Sequence, residues 1–248
     1  MRKIVYEAGE IIKDVQLSAE QVKSKGGRLD FVTKYDVEVQ NFLEEKFKQA
    51  WPAYHFLGEE QDEHYFTEDG FIVDPIDGTT NFILGVPHYC ISVAVMEDKK
   101  IVQGVVYNPA LDEMFWAELG RGAYLNGEPI KNPDLPFAET VFGIGSSPYN
   151  ASLREPTLNM IREIMKKSDI RCHGSAALDL CYVANGQQGG YFEYEINPWD
   201  IAAGLLIARE AGAIVTTTDG GEPPLDRTLT ILAAGPTIYE EMRKILKF

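Results

Sequence analysis

The chain has 248 residues, 45% of them hydrophobic and 11% aromatic, the make-up of a globular protein that buries a sizeable core. Its formal net charge of -15 and pI near 4.7 argue against a broad basic footprint for nucleic acid or an anionic membrane. No apolar run approaches the ~18 residues that span a bilayer, and "MRKIVYEAGEIIKDVQ" interleaves charges with apolar residues, unlike a signal peptide, so a soluble, cytoplasmic protein is expected.

In chain order, Ile4, Ala8, Ile11, Ile12 and Val15 recur at helical spacing, and Val39, Phe42, Leu43, Phe47 and Ala50 repeat the pattern after a polar, glycine-containing connection. Two helices are expected first. The period then changes: residues 71–74, 89–96, 101–108 and 113–118 are rich in β-branched and aromatic residues, and "EDKK" between the second and third reads as a hairpin turn. The middle is expected to be mostly antiparallel sheet. From about residue 135 the pattern alternates: a strand near 140–145, helices over 153–167 and 176–185, a strand over 190–195, a helix over 199–211, strands over 213–218 and 228–234, and a last helix opened by Pro236. This is a mixed α/β (α+β) chain with two sheets. It reads as one domain over 1–248, and "NPDLPFAE" (132–139) marks a candidate subdivision into 1–134 and 135–248. Cys90, Cys172 and Cys181 are odd in number and form no C-x-x-C pair, so neither a disulfide framework nor a zinc knuckle is indicated.

Chemistry concentrates in "DPIDGTTNF" (74–82). Pro75 fixes one backbone dihedral after Asp74 and Gly78 permits an unusual one after Asp77, so the strand end can bend until both carboxylates face one point. The amides of Gly78, Thr79 and Thr80 then open a helix and suit an anionic oxygen. The same letters also fit a cap plus a turn aspartate. Two further acidic stretches bear on the choice: "LGEEQ" (57–61), with Glu59 and Glu60, and "NPWDIAAG" (197–204), with Asp200 behind Trp199. If Glu59, Asp74, Asp77 and Asp200 converge, a counter-charge is required, because two unit charges about 4 Å apart repel by roughly 4 kcal/mol at an effective dielectric of 20. Oxygen ligands without histidine or thiolate select Mg²⁺, Mn²⁺ or Ca²⁺, with Mg²⁺ first.

Together "GEE", "DPIDGTTNF" and "WDIAAG" resemble, in order and spacing, the metal-binding motifs of the inositol monophosphatase family of Mg²⁺-dependent, lithium-sensitive phosphatases. "LDFVTKYD" (29–36) resembles the family's N-terminal segment, and "GSAALDLCYVANG" (174–186) the helix beside its substrate pocket. The resemblance implies a layered αβαβα sandwich and a homodimer. Carried over residue by residue, it implies that Glu59, Asp74 and the Ile76 carbonyl hold one Mg²⁺. Asp74, Asp77 and Asp200 hold a second, and Glu59 and Asp77 lie near a weaker third site; Mn²⁺ is a possible substitute. Thr79, backed by Asp36, bonds the attacking water, the amides of Gly78 and Thr79 bind phosphate oxygens, and no phosphoenzyme forms. Metals thereby invert the sign of an acidic pocket, letting an acidic protein take a small phosphate ester.

The resemblance further places Glu193 against substrate hydroxyls, Lys25 in a mobile loop, and Ser175 and Ala176 on the pocket wall; each also reads as an ordinary surface or helix-start residue. Cys172 and His173 read as packing residues. Rival phosphatase chemistries fail on the letters. Six positions after Cys90, Cys172 and Cys181 stand Met96, Leu178 and Gln187 rather than arginine, no D-x-D stands in place of Asp74 and Asp77, and Arg171 and His173 are split by Cys172. A non-catalytic scaffold that binds a sugar phosphate or a partner is the alternative class. The motifs leave the substrate open among inositol monophosphates, fructose 1,6-bisphosphate, histidinol phosphate, adenosine 3',5'-bisphosphate and NADP; Glu193 favours a small polyol monophosphate.

Overall fold

The structure is a computed structural model that describes residues 1–17, 22–24, 31–147 and 150–247, with 22–24 and 31 described by backbone alone. Helices α1 (Arg2–Gly9) and α2 (Lys34–Ala50) precede a seven-stranded sheet. Its strands are β3 (His55–Gly58), β4 (Gly70–Asp77), β5 (Cys90–Glu97), β6 (Lys100–Asn108), β7 (Glu113–Glu118), β8 (Ala123–Leu125) and β9 (Glu128–Ile130), in that spatial order. Short helix α3 (Thr79–Leu84) leaves the end of β4. The later half holds a five-stranded sheet of β10 (Val141–Ile144), β11 (Asp169–Arg171), β12 (Gly190–Ile196), β13 (Ile214–Thr216) and β14 (Leu229–Ala234), ordered β11-β10-β12-β14-β13. Helices α4 (Arg154–Met165), α5 (Ala176–Asn185), α6 (Pro198–Glu210) and α7 (Pro236–Leu246) accompany it. Strands β1 (Val22–Ser24) and β2 (Phe31–Thr33) form a separate two-stranded ribbon.

Three apolar clusters define the layers. Val5, Ala8, Val39, Leu43 and Phe47 of α1 and α2 pack on one face of the large sheet with Phe71, Val93 and Val105. Its other face, with Ile72, Ala94 and Val106, meets α5 and α6, which also cover Tyr191, Ile231 and Ala233 of the small sheet. The outer face of the small sheet, with Phe142, Phe192 and Leu232, is closed by Met160 and Ile164 of α4 and Ile238 and Met242 of α7. The order is αβαβα, the expected sandwich. Helix α6 sits between two sheets and is apolar on nearly all sides, as a helix covered all round must be. Small residues let it approach: a Cβ on Gly104 would fall 2.7 Å from the Ala203 carbonyl oxygen, and one on Gly204 would fall 2.7 Å from Leu180 Cβ.

Some boundaries differ from expectation. The first helix stops at Gly9, where a Cβ would meet the Tyr107 ring at 2.4 Å, yet Ile12 remains buried because the chain continues in turns along the same surface. Strand β3 pairs parallel to β4, whereas β4 to β7 are antiparallel as predicted, and β8 and β9, which were not predicted, continue the antiparallel pairing. The "EDKK" turn is present, with Asp98 and Lys99 both at positive φ, the geometry of a two-residue hairpin. The β8–β9 hairpin turns through Asn126-Gly127, also both at positive φ, a signal that went unread. Segment 132–139 joins β9 of the large sheet to β10 of the small one.

Candidate active site

Residues three apart on a regular strand face opposite sides. Asp74 and Asp77 escape this because β4 is bulged: Asp74 pairs with Ser92 and Asp77 with Cys90, so three steps on β4 match two on β5. Pro75, which has no N–H to donate, falls in the interrupted stretch. Both carboxylates therefore line one cavity of about 590 Å³. Asp74 Oδ1 accepts the Ile76 N–H at 3.0 Å, which tightens the bend.

Glu59 follows β3, and its N–H donates to the Val73 carbonyl at 3.1 Å, which sets it beside Asp74. Asp200 is the third residue of α6; its Oδ2 accepts the Asn197 N–H at 2.9 Å, and this capping box with Pro198 at the helix start fixes it at the cavity. One carboxylate oxygen each from Glu59, Asp74 and Asp200 lie within 4.8 Å of one another. Asp77 Oδ2 accepts the Ser175 hydroxyl at 2.6 Å and the Ala177 N–H at 2.8 Å, tying the large sheet to the first turn of α5. Burial, then the charge of Glu59, holds Asp74 and Asp200 well above the usual carboxylate range. Burial also lifts Asp77 to about 7 despite its two donors. Among the described residues lining the cavity there is no lysine or arginine. So close a set of acids cannot all ionise unaided, and it is suited to a hard divalent cation.

Asp36 serves two elements. Its Oδ2 accepts the Thr33 N–H at 2.8 Å and the Thr33 hydroxyl at 2.6 Å as the capping box of α2, while Oδ1 stands 3.1 Å from Thr79 Oγ1. Burial raises its pKa against those bonds. Thr79 Oγ1 also lies 2.9 Å from the Ile76 carbonyl. Gly78, at φ 89°, makes the turn into α3; a Cβ there would stand 3.0 Å from the His88 carbonyl and 3.1 Å from that of Gly174.

Glu193 reaches the cavity from β12. Its Oε2 accepts the Tyr191 hydroxyl at 2.6 Å, and its Oε1 accepts the Ser147 N–H at 2.9 Å and the Ser147 hydroxyl at 3.2 Å. A Cβ on Gly145 would strike it at 2.1 Å. Ser175 caps α5 from beneath Asp77, and Ala176 opens that helix on the cavity wall. Lys25 lies outside the described residues. The structure thus brings Asp36, Glu59, Asp74, Ile76, Asp77, Gly78, Thr79, Ser175, Ala176, Glu193 and Asp200 to one region, Asp36 through Thr79. Sequence reasoning missed Tyr191 and Ser147, which hold Glu193, and Asn81, whose side-chain amide donates to the His88 and His173 carbonyls at 2.7 Å each. Tyr191, two residues before Glu193, could have been found from strand period alone. His173 is also more than packing: its Nδ1 lies 2.7 Å from Asp179 Oδ1 and its ring lines the cavity.

A model of the inositol monophosphatase family matches residues 2–247. The chain belongs to the inositol monophosphatase family. An inositol-1-monophosphatase of Rhizobium meliloti (strain 1021) is 38% identical over 253 aligned residues, covering 100% of this chain and 94% of that protein. A crystal structure of the extragenic suppressor protein suhB from Bartonella henselae matches with a TM-score of 0.88 and 34% identity, over 100% of this chain and 96% of that one. An IMPase/NADP phosphatase complexed with Mg²⁺ and phosphate matches with a TM-score of 0.84 and 25% identity, over 98% and 90%. The protein is accordingly a phosphoric monoester hydrolase of a metal-dependent family. Among the described residues, no helix is long and apolar enough to cross a membrane.

Proposed function

We propose that this cavity hydrolyses a small sugar or polyol monophosphate, inositol monophosphate-like, with two or three Mg²⁺ ions as cofactors and Mn²⁺ as a substitute. The observation that carries the reading is the carboxylate cluster: three acids within 4.8 Å and a fourth beside them, with the pKa values of Asp74, Asp77 and Asp200 raised and no cationic side chain among the described lining residues. Glu59, Asp74, Asp77, Asp200 and the Ile76 carbonyl form an all-oxygen donor set, which fits the hard ions and not zinc. When bound, such ions supply positive potential for the phosphate and lower the pKa of water.

The chain's own groups do the rest. Thr79 has one hydroxyl proton; given to Asp36, it leaves the oxygen to accept a hydrogen bond from the attacking water, aiming it. Asp36, held at elevated pKa by burial, is the proton-accepting partner. The amides of Gly78 and Thr79 face phosphate oxygens, so water attacks phosphorus without a covalent enzyme intermediate. Glu193 has about four lone-pair sites, and three donors occupy three of them, leaving one for a substrate hydroxyl.

The test is phosphate release from inositol monophosphates, β-glycerophosphate, fructose 1,6-bisphosphate, histidinol phosphate, adenosine 3',5'-bisphosphate and NADP, with Mg²⁺ and with chelator. Mg²⁺-dependent turnover strongest on a polyol monophosphate is expected. Strongest turnover of NADP or the nucleotide would instead carry the second reading, which the NADP phosphatase relative favours. Ligand binding without turnover across the panel would make the chain a scaffold. From the family resemblance we also propose lithium sensitivity, a cytoplasmic location and a homodimer of 27.7 kDa chains; light scattering at the monomer mass would refute the last.

A further inference from the structure

A second cluster with a different donor chemistry borders the same cavity. His88 precedes β5, His173 lies in the loop between β11 and α5, and Asp179 is in the first turn of α5. One ligand atom from each lies within 4.8 Å of the other two. His173 Nδ1 stands 2.7 Å from Asp179 Oδ1, and the two imidazoles stack with centroids 4.8 Å apart and planes inclined at 29°. Tyr182 closes the group with its ring edge-on to both.

His88 Nε2 is the feature that packing does not explain. It is shut off from solvent and has no hydrogen-bond partner, a costly state for a polar nitrogen. Burial and the neighbouring His173 hold this imidazole at a pKa of about 4, so it stands neutral at physiological pH, the form that ligates metals. Asn81 anchors the backbone beneath both rings through its bonds to the His88 and His173 carbonyls. Both histidines lie outside helix and strand, where their rings can close the present spacing to the about 3.3 Å between neighbouring donors around a tetrahedral ion bound at about 2.0–2.1 Å.

We propose that His88, His173 and Asp179 form a second metal site that takes a nitrogen-seeking divalent ion, Zn²⁺ first, with its fourth position open to the cavity. Two imidazoles and one carboxylate match borderline ions and discriminate against Mg²⁺, the reverse of the all-oxygen cluster. Binding at His173 Nδ1 replaces the hydrogen bond to Asp179 and leaves the single imidazole proton on Nε2, so the neutral ring changes tautomer and protons balance without release. The bound ion would join the loop before β5 to the start of α5, linking the two sheets at the cavity wall. The inference stands independently of which ester is hydrolysed.

The experiment is a Co²⁺ titration of the metal-stripped full-length protein, read by visible absorption. Octahedral all-oxygen Co²⁺ gives faint bands, whereas low-coordinate Co²⁺ with imidazole ligands gives strong ones. Strong bands saturating at one ion per chain are expected. They should persist in Asp74→Asn, which removes a ligand of the acidic cluster, and fall to the faint level in His173→Asn and in His88→Gln. His173 is 28% exposed at its side chain, so its replacement tests the site even where the His88 variant does not fold. Absence of strong bands in the wild type would overturn the proposal, as would their survival in folded His173→Asn protein. Loss of the bands in Asp74→Asn alone would assign them to the acidic cluster and equally overturn it.

Discussion

Two sets of acids face the same cavity and are treated in opposite ways. Glu193, on the small sheet, accepts three hydrogen bonds from Tyr191 and Ser147, and Gly145 leaves room for it. Glu59, Asp74 and Asp200 crowd together, and the charge of Glu59 raises the cost of ionising the two aspartates. A carboxylate ringed by donors is a fixed recognition group that the fold satisfies by itself. Carboxylates ringed by carboxylates are an unfinished site that an external cation completes. Asp77 stands between the two cases, with one oxygen bound by Ser175 and Ala177 and its pKa still lifted to about 7.

The contrast makes graded predictions. The largest effect is expected for Asp77→Asn, which removes charge from the cluster at little steric cost: turnover should fall by more than about 100-fold, beyond what loss of an outer partner of a ligand costs, with the circular dichroism spectrum unchanged. Wild-type turnover would remove Asp77 from the site. Thr79→Val comes next; losing the hydroxyl between Asp36 and the attacking water should lower kcat by about 10²–10⁴-fold with a smaller change in KM. An unchanged kcat would show that Thr79 only caps α3.

The third prediction concerns pH. The folded pKa of Asp77 lies above its unfolded value, so between about pH 4 and 7 the folded metal-free protein binds the more protons, and stability from this group is lost as pH rises through that window. Asp74 and Asp200 shift in the same direction. Chelated protein should therefore melt at a lower temperature at pH 7.5 than at pH 5.5, and added Mg²⁺ should restore the loss at pH 7.5. A melting temperature that rises over that range without metal would contradict the electrostatic account. The smallest effect is expected at Glu193. Ser147→Ala removes one of three donors to Glu193 and should cost about 1 kcal/mol in stability, raising KM for a polyol phosphate more than it lowers kcat. A loss of kcat comparable to that of Asp77→Asn would erase the distinction between the two sets.

Much of this division was legible in the letters, though unevenly. The layers followed from apolar periodicity, because α1, α2 and the strands of the large sheet each bury one clear face. Asp74 and Asp77 were readable from Pro75 and Gly78 between and after them, whereas Glu59 and Asp200 were joined to them only through the resemblance of their motifs to the family's. The bulge itself was not readable, since strand period alone sends Asp74 and Asp77 to opposite faces and only pairing with β5 reveals the extra residue. Strand β3 is four residues long and the first helix turns at Gly9; both are settled by neighbours distant in sequence, the Val73 carbonyl that receives the Glu59 amide and the Tyr107 ring beside Gly9. His88 went unread and His173 was read as packing for the same reason: 85 positions separate them in the chain, and only the meeting of β5 with α5 stacks them.

Convergence of the four acids on divalent ions is most directly tested by titrating metal-stripped protein with Mn²⁺ and following the free-ion electron paramagnetic resonance signal. The account predicts saturable uptake of at least one ion per chain, retained in His173→Asn and lost in Asp74→Asn. Wild-type protein that leaves the free Mn²⁺ signal undiminished, or an Asp74→Asn variant that binds as the wild type does, would contradict it.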